Sequence, residues 1–300
     1  MLFCHGFPDT WYGWLHAMRA VADAGFHAVA LDMRGYGESD APREAEAYMQ
    51  FHTVGDIVAV LDALDVEHAI LVGHDFGANV AWTAAMMRPD RVAAVFGVSV
   101  RPMQFGGPSF LDQLRAAGKT DFYMFAQMRP EADELWADAA RTIPASRYWV
   151  SGEPPEQERW DPFDPAKNNL RPTDKVPTTI SADYITHTVE AFQRTGFHGA
   201  LNYYRAIDPF FAIANRAYAG CVIRQPCFFL SGAADGLNKV RQPTEETLRK
   251  SLPGLRGFAS FDGVGHLPQL EAPEKFNAAL LAFLRSLCKT PGGPLLPGAA

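Results

Sequence analysis

No stretch of this chain approaches the ~20 consecutive apolar residues that a membrane-crossing helix requires. Runs of lysine or arginine are also missing, and 27 basic against 34 acidic side chains leave a formal net charge of −7. Nucleic acid and anionic membrane surfaces are therefore not expected as partners. Cysteine is scarce, with four residues in 300, no C-x-x-C and no dense framework. Cys4, Cys221, Cys227 and Cys288 are accordingly expected as buried free thiols in a reducing, cytoplasmic setting, with a 221–227 bridge as the minor alternative. The sequence shows no secretory leader and runs at once into folded-looking residues.

The remaining composition is that of an ordinary globular chain, 48% hydrophobic and 20% charged. Its length suits one large domain, or a core with an inserted subdomain. Met1-Leu2-Phe3-Cys4 reads as the end of a strand. A helix is expected over 11–24, where Trp14, Met18 and Val21 repeat with helical spacing before Gly25. Residues 26–31 form a second strand, and Val54, Ile57, Val58, Leu61 and Leu64 share one helical face. Further strands are expected near 69–73, 93–100, 226–232 and 258–261, and a closing helix over 274–287. Strands alternating with helices imply an α/β class with a mostly parallel sheet flanked by helices. Between about 102 and 218 the texture changes to helices and loops without a clear buried strand. Ser181 is placed to start one of these helices and Gly196 to stop it. The expected division is a core of 1–101 and 219–288, a helical cap of 102–218, and a Pro/Gly-rich flexible tail of 289–300.

The most informative stretch is 70–82. An apolar strand runs into Gly73-His74-Asp75-Phe76-Gly77, and a helix-compatible segment follows. Glycines flanking a central residue at this spacing make the sharp strand-to-helix turn of G-x-S-x-G, with Asp75 where serine would stand. The turn holds that side chain out at the carboxyl end of the sheet, beside the free N–H groups of the new helix. A carboxylate there is ionised at neutral pH and suits displacement at a saturated carbon, which leaves an alkyl ester on the protein. The plain alternative is an aspartate that only caps the helix.

Hydrolysis of such an ester needs a base. His266, in Gly265-His266-Leu267-Pro268 after the last strand, titrates near neutrality and can accept a proton from water. Asp235, after the strand near 226–232, is placed to orient it. Asp262 competes for that role but lies only four residues before the histidine. Nucleophile, acid and base then follow in the chain order of the serine enzymes with this turn. The backbone N–H groups of Phe7 and Phe76 are candidates to hold the oxyanion, since His5-Gly6-Phe7-Pro8 forms a turn near the elbow.

Taken together, His5-Gly6-Phe7-Pro8, the loop Arg34-Gly35-Tyr36-Gly37-Glu38-Ser39-Asp40, Gly73-His74-Asp75-Phe76-Gly77, Asp235 and Gly265-His266 resemble the α/β-hydrolase fold, epoxide hydrolase branch. The early motifs are shared with haloalkane dehalogenases. The resemblance spans residues 3 to about 288. It implies hydrolysis of a small-molecule epoxide to a vicinal diol with no metal or cofactor, by a monomer or homodimer. It maps a ring-opening tyrosine onto Tyr204 in Asn202-Tyr203-Tyr204-Arg205. A second maps onto Tyr123, where Ala126-Gln127-Met128-Arg129-Pro130 is shorter than the family's pattern. Phe105, Phe125, Trp149 and Phe210 are candidate pocket walls. The family's first two strands would precede residue 3. Without them, strand 26–31 would be a bare edge inclined to associate with another chain or to limit solubility.

Two other readings stay open. A haloalkane or haloacid dehalogenase would use the same aspartate. It would, by resemblance, want a side-chain donor at Phe76, or arginines at Phe76 and Asn79. A non-catalytic ligand-binding member of the fold would not need Asp75, Asp235 and His266 together.

Overall fold

The computed structural model describes residues 1–288; the predicted tail of 289–300 lies outside them. Six parallel strands form one sheet: β1 (Leu2–Cys4), β2 (Val29–Leu31), β3 (Ala69–His74), β4 (Val92–Val98), β5 (Cys227–Gly232) and β6 (Leu255–Phe261). Their spatial order is β2-β1-β3-β4-β5-β6, with β3 next to the centre and β2 at one edge. The edge strand is half-buried throughout. The remaining strands arise where the sequence predicts them, within a few residues at each end.

Burial explains why β3 reads as an unbroken apolar run. Ile70 and Val72 point to one face, against Trp14, Val21, Phe276 and Leu280. Ala69 and Leu71 point to the other, against Val80, Trp82, Ile57 and Leu61. Both faces of the central strand are thus covered by helices, so neither tolerates polar alternation. The segment 11–24, expected as a single helix, starts as a 3-10 turn (Trp11–Trp14) before the α-helix Leu15–Asp23.

All strand-free helices of the middle segment fall between β4 and β5, from Phe110–Ala116 to Ile207–Ala217. The helix Ala182–Thr195 is bounded as its sequence dictates. The Ser181 hydroxyl accepts from the Tyr184 N–H, and Gly196 ends it at φ +67°. The Pro-rich stretch of 153–177 contains only two 3-10 turns, Glu156–Glu158 and Pro165–Lys167. It is pinned by buried Trp160, whose backbone N–H donates to the Trp149 carbonyl (3.1 Å).

The cysteines partly depart from expectation. Cys4 and Cys227 are buried free thiols, with burial pushing each pKa up to about 12. Cys221 is free but exposed, because it follows the last helix of the insertion in a loop with no apolar partner layer. Among the described residues no helix is long and apolar enough to cross a membrane, and no cluster of His, Cys, Asp or Glu could hold a metal ion.

Candidate active site

Asp75 occupies the single residue between β3 and the helix Phe76–Met87, with φ +54° and ψ −119°. A positive φ at a residue with a side chain is strained, and it persists only where the surroundings enforce it. The enforcement here is close packing of backbone. A side chain on Gly77 would collide with the carbonyls of Cys4 and His5, and one on Gly6 with Asp75 itself. The two glycines let the His5-Gly6-Phe7-Pro8 turn press directly against the elbow.

That turn is fixed from beneath. The His5 ring donates from Nδ1 to the Gly6 carbonyl (2.9 Å) and accepts at Nε2 from the Met33 N–H (3.0 Å). Burial lowers the His5 pKa, consistent with the neutral ring those two bonds require. The Phe7 N–H is then delivered to the Asp75 carboxylate, 2.9 Å from Oδ1. Phe76, as first residue of its helix, has an N–H with no partner inside that helix.

The base stands on the other side of the carboxylate. His266 Nε2 lies 3.6 Å from Asp75 Oδ2, and Nδ1 lies 2.9 Å from Asp235 Oδ2. The other oxygen of Asp235 accepts from the Leu237 N–H (2.9 Å), so the carboxylate is oriented by the 3-10 turn it caps. Burial would lower the His266 pKa, but Asp235 and then Asp75 outweigh it and raise the pKa to about 10. For Asp75, burial acts upward. The hydrogen bond and charge of His266, with His74 and the Phe7 N–H behind them, win and hold its pKa below the usual value. The resting pair is therefore carboxylate and imidazolium. Asp262 is exposed and takes no part.

The two tyrosines come from separate helices of the insertion. Tyr204 lies in His198–Arg205 and Tyr123 opens Tyr123–Gln127. Their rings meet edge-on with centroids 6.1 Å apart, and both feel the charge of Asp75. Burial first pushes both pKa values well above 10, followed at Tyr123 by the charges of Asp75 and Asp235 and at Tyr204 by Tyr123 and Asp75, which keeps both phenols protonated. The Tyr204 ring is gripped edge-on by Phe76 (4.7 Å between centroids) and Phe7 (5.2 Å). Each such pair contributes about 0.5–1.5 kcal/mol beyond its buried area. The neighbouring Tyr203 donates instead to the Arg34 carbonyl (3.1 Å), a packing role.

A cavity of about 840 Å³ opens beside this cluster, and Asp75, Phe76, Tyr123 and Phe105 line it. Tyr204 and His266 are not among its lining residues. Three expected wall residues are seated elsewhere. Phe210 is buried beside Tyr48 and Phe76 at a separate small void. Phe125 packs edge-on against Phe122 beneath the Arg115 guanidinium. Trp149 lies under Arg171 and donates to its carbonyl (3.0 Å). Each satisfies an aromatic surface within the helical layer, a choice that helical periodicity alone does not resolve.

Sequence reading also passed over the residues that hold the site in place. The His266 carbonyl accepts from His74 Nε2 (2.8 Å) and from the Ser99 hydroxyl (2.9 Å). Burial lowers the His74 pKa to about 4, so it serves as a neutral donor. The Glu271 carboxylate accepts the N–H groups of Gly265 and Leu267, which flank the base, and of Gly152 in the insertion (2.8, 3.0 and 2.8 Å). Arg147, only 1% exposed, donates to the Pro8 carbonyl and to the Tyr184 hydroxyl (2.9 Å). Tyr184 in turn donates to Asp9 (3.0 Å). The one available signal was Asp9, an acid directly after the His5-Gly6-Phe7-Pro8 turn.

Comparison with known proteins agrees with this geometry. A family described as alpha/beta hydrolase fold matches residues 1–273. The chain is 49% identical to an epoxide hydrolase of Caballeronia sordidicola over 289 residues, covering 96% of this chain and 88% of that one. It is 35% identical to epoxide hydrolase A of Mycobacterium tuberculosis, covering 96% and 90% of the two chains. Among solved structures, epoxide hydrolase A from Mycobacterium thermoresistibile superposes with a TM-score of 0.85 at 37% identity, covering 95% of this chain and 90% of that one. An epoxide hydrolase from an endophytic Streptomyces gives 0.88 at 32% identity, covering 96% and 89%.

Proposed function

The chain belongs to the α/β-hydrolase fold family, and from that premise we propose that it hydrolyses an epoxide to a vicinal diol through a covalent ester on Asp75. The observation that carries the reading is one arrangement. A buried carboxylate nucleophile faces two protonated tyrosines on one side and an Asp-paired histidine on the other. We read 102–218 as the cap that delivers the tyrosines, and 1–101 with 219–288 as the core that delivers the other three groups.

In the first step an Asp75 oxygen attacks a ring carbon and the C–O bond of the epoxide breaks. The alkoxide takes a proton from the tyrosine pair. Tyr123 is the member of the pair that lines the cavity. Tyr204 supports it by hydrogen bonding, which eases the developing tyrosinate. Esterification removes the negative charge of Asp75. One of the two carboxylates that hold the His266 proton is then gone, so the imidazolium becomes acidic enough to reprotonate the tyrosinate. The neutral imidazole can next take a proton from water.

In the second step hydroxide attacks the ester carbonyl carbon. The resulting oxyanion is placed to be held by the N–H groups of Phe7 and Phe76. Collapse releases the diol, the second water proton ends on its oxygen, and Asp75 and His266 return to carboxylate and imidazolium. No proton or electron is left unaccounted for, and no cofactor enters any step.

A single turnover of styrene oxide in heavy-oxygen water tests the scheme. The label should appear in the peptide containing Asp75. A diol carrying all of the label, with an unlabelled peptide, would refute the ester. Release of bromide from bromoalkanes with no turnover of styrene oxide would assign the same nucleophile to dehalogenation.

A further inference from the structure

Three charged side chains line the cavity: Asp75, Arg101 and Arg241. Asp75 is committed to His266 and the Phe7 amide. The two arginines are not committed to anything. Among the described residues neither guanidinium has a carboxylate or hydrogen-bond partner. Arg115, by contrast, is paired with Asp112 and Asp208. A charge withdrawn from water is normally paired. Arg101 is half-buried, and the charge that acts on it is that of Arg241. Burial and that like charge push its pKa down to about 10, so it remains a cation at neutral pH.

The two residues come from opposite sides of the junction with the insertion. Arg101 follows β4, while Arg241 follows the 3-10 turn Gly236–Lys239 that begins at Asp235. Only the fold brings them together. The same wall also carries apolar side chains, Met103, Phe105, Phe110 and Phe211 among them. The cavity is therefore amphipathic: it holds the nucleophile, a set of apolar side chains and two unneutralised guanidiniums.

Building on the epoxide reading, we infer that the substrates are epoxides whose apolar substituent ends in an anionic group, a carboxylate, which Arg101 and Arg241 receive. Guanidiniums suit this task because their planar fork of donors matches a carboxylate. Occupation by an anion would also relieve the repulsion between the two cations, so binding there gains more than at a lone surface arginine.

The test compares an ω-epoxyalkanoate with its methyl ester, with styrene oxide as a neutral reference, at a pH where the acid is ionised. The wild-type protein should favour the acid over the ester in kcat/KM by about tenfold or more, carried by KM. Arg101→Met with Arg241→Met should bring that ratio to about one, and lysine at both positions should retain most of the preference. Arg241→Glu, a change at an exposed position that needs no refolding of the interior, should reverse it. A wild-type ratio near one, or a ratio unmoved by the double substitution, overturns the inference. If the wild type turns over the ester and styrene oxide without preference, only the anionic substrate class is lost. If it turns over no epoxide at all, the hydrolysis reading fails and this inference falls with it.

Discussion

The sheet side and the helical side of the active site are built on different principles. Asp75, Asp235 and His266 each follow a strand of one parallel sheet, where strand register fixes where each chain end emerges. Cys4 pairs with Gly73, and Gly73 with Gly97, so the elbow and the turn before it share one level of the sheet. Tyr123 and Tyr204 instead stand on two short helices, whose positions depend on aromatic packing and a few long-range bonds. Arg147 with Asp9 and Tyr184, and Glu271 with Gly152, tie that helical layer to the sheet side. The lesson is a division of labour: the sheet side holds Asp75, Asp235 and His266 in register, and in the proposed mechanism the helical side supplies the proton.

The comparison breaks most completely if Asp75 is removed. Asp75→Ala should lower kcat by about 10⁴-fold or more, the scale seen when a nucleophile is deleted from a set that acts as a unit; steady-state turnover of styrene oxide measures it. His266→Ala should leave the first step intact and stall the second. Intact-protein mass spectrometry should then show a gain equal to the substrate, and turnover about 10³-fold below wild type.

On the helical side, Tyr123→Phe should slow ring opening by about 10²-fold, and Tyr204→Phe by no more than that. Rapid-mixing measurement of ester formation separates this from ester hydrolysis, which neither change should slow to the same extent. Equal slowing of both steps would remove the tyrosines from the acid role. The tie between the two sides can be cut without touching either. Arg147→Met should cost about 1–3 kcal/mol of stability, because it leaves the buried Pro8 carbonyl and Tyr184 hydroxyl without their donor; denaturant unfolding reads it.

The smallest effect concerns pH. The His266 pKa is raised from 6.5 to about 10 in the folded protein. Its contribution to stability is thus fully present below 6.5 and is lost as pH rises through about 10. Unfolding free energy should decline across that window, and His266→Asn should flatten the decline. A His266 ring signal titrating near 6.5 by NMR would contradict the paired state described above.

Much of this was legible in the chain itself. Gly73 and Gly77 around Asp75 could mean little other than a tight strand-to-helix turn, because a side chain at either position meets backbone. The apolar runs gave all six strands, since a sheet covered on both faces admits no polar alternation. Their order along the chain placed Asp75, Asp235 and His266 at the same edge. Tyr204 and Tyr123 were legible only through resemblance, since a tyrosine on a helix looks the same whether it packs or donates a proton.

Local patterns alone determined the class of fold, the elbow and the identity of its nucleophile, because each is fixed by neighbours within a few residues. Tertiary structure decided the rest. It turned Phe125, Trp149 and Phe210 away from the cavity wall and brought Glu271 beneath the His266 loop. It also set Arg101 and Arg241 on one wall although 140 positions separate them in the sequence. Such pairings depend on how two packed layers meet, and no local period in the chain encodes that contact.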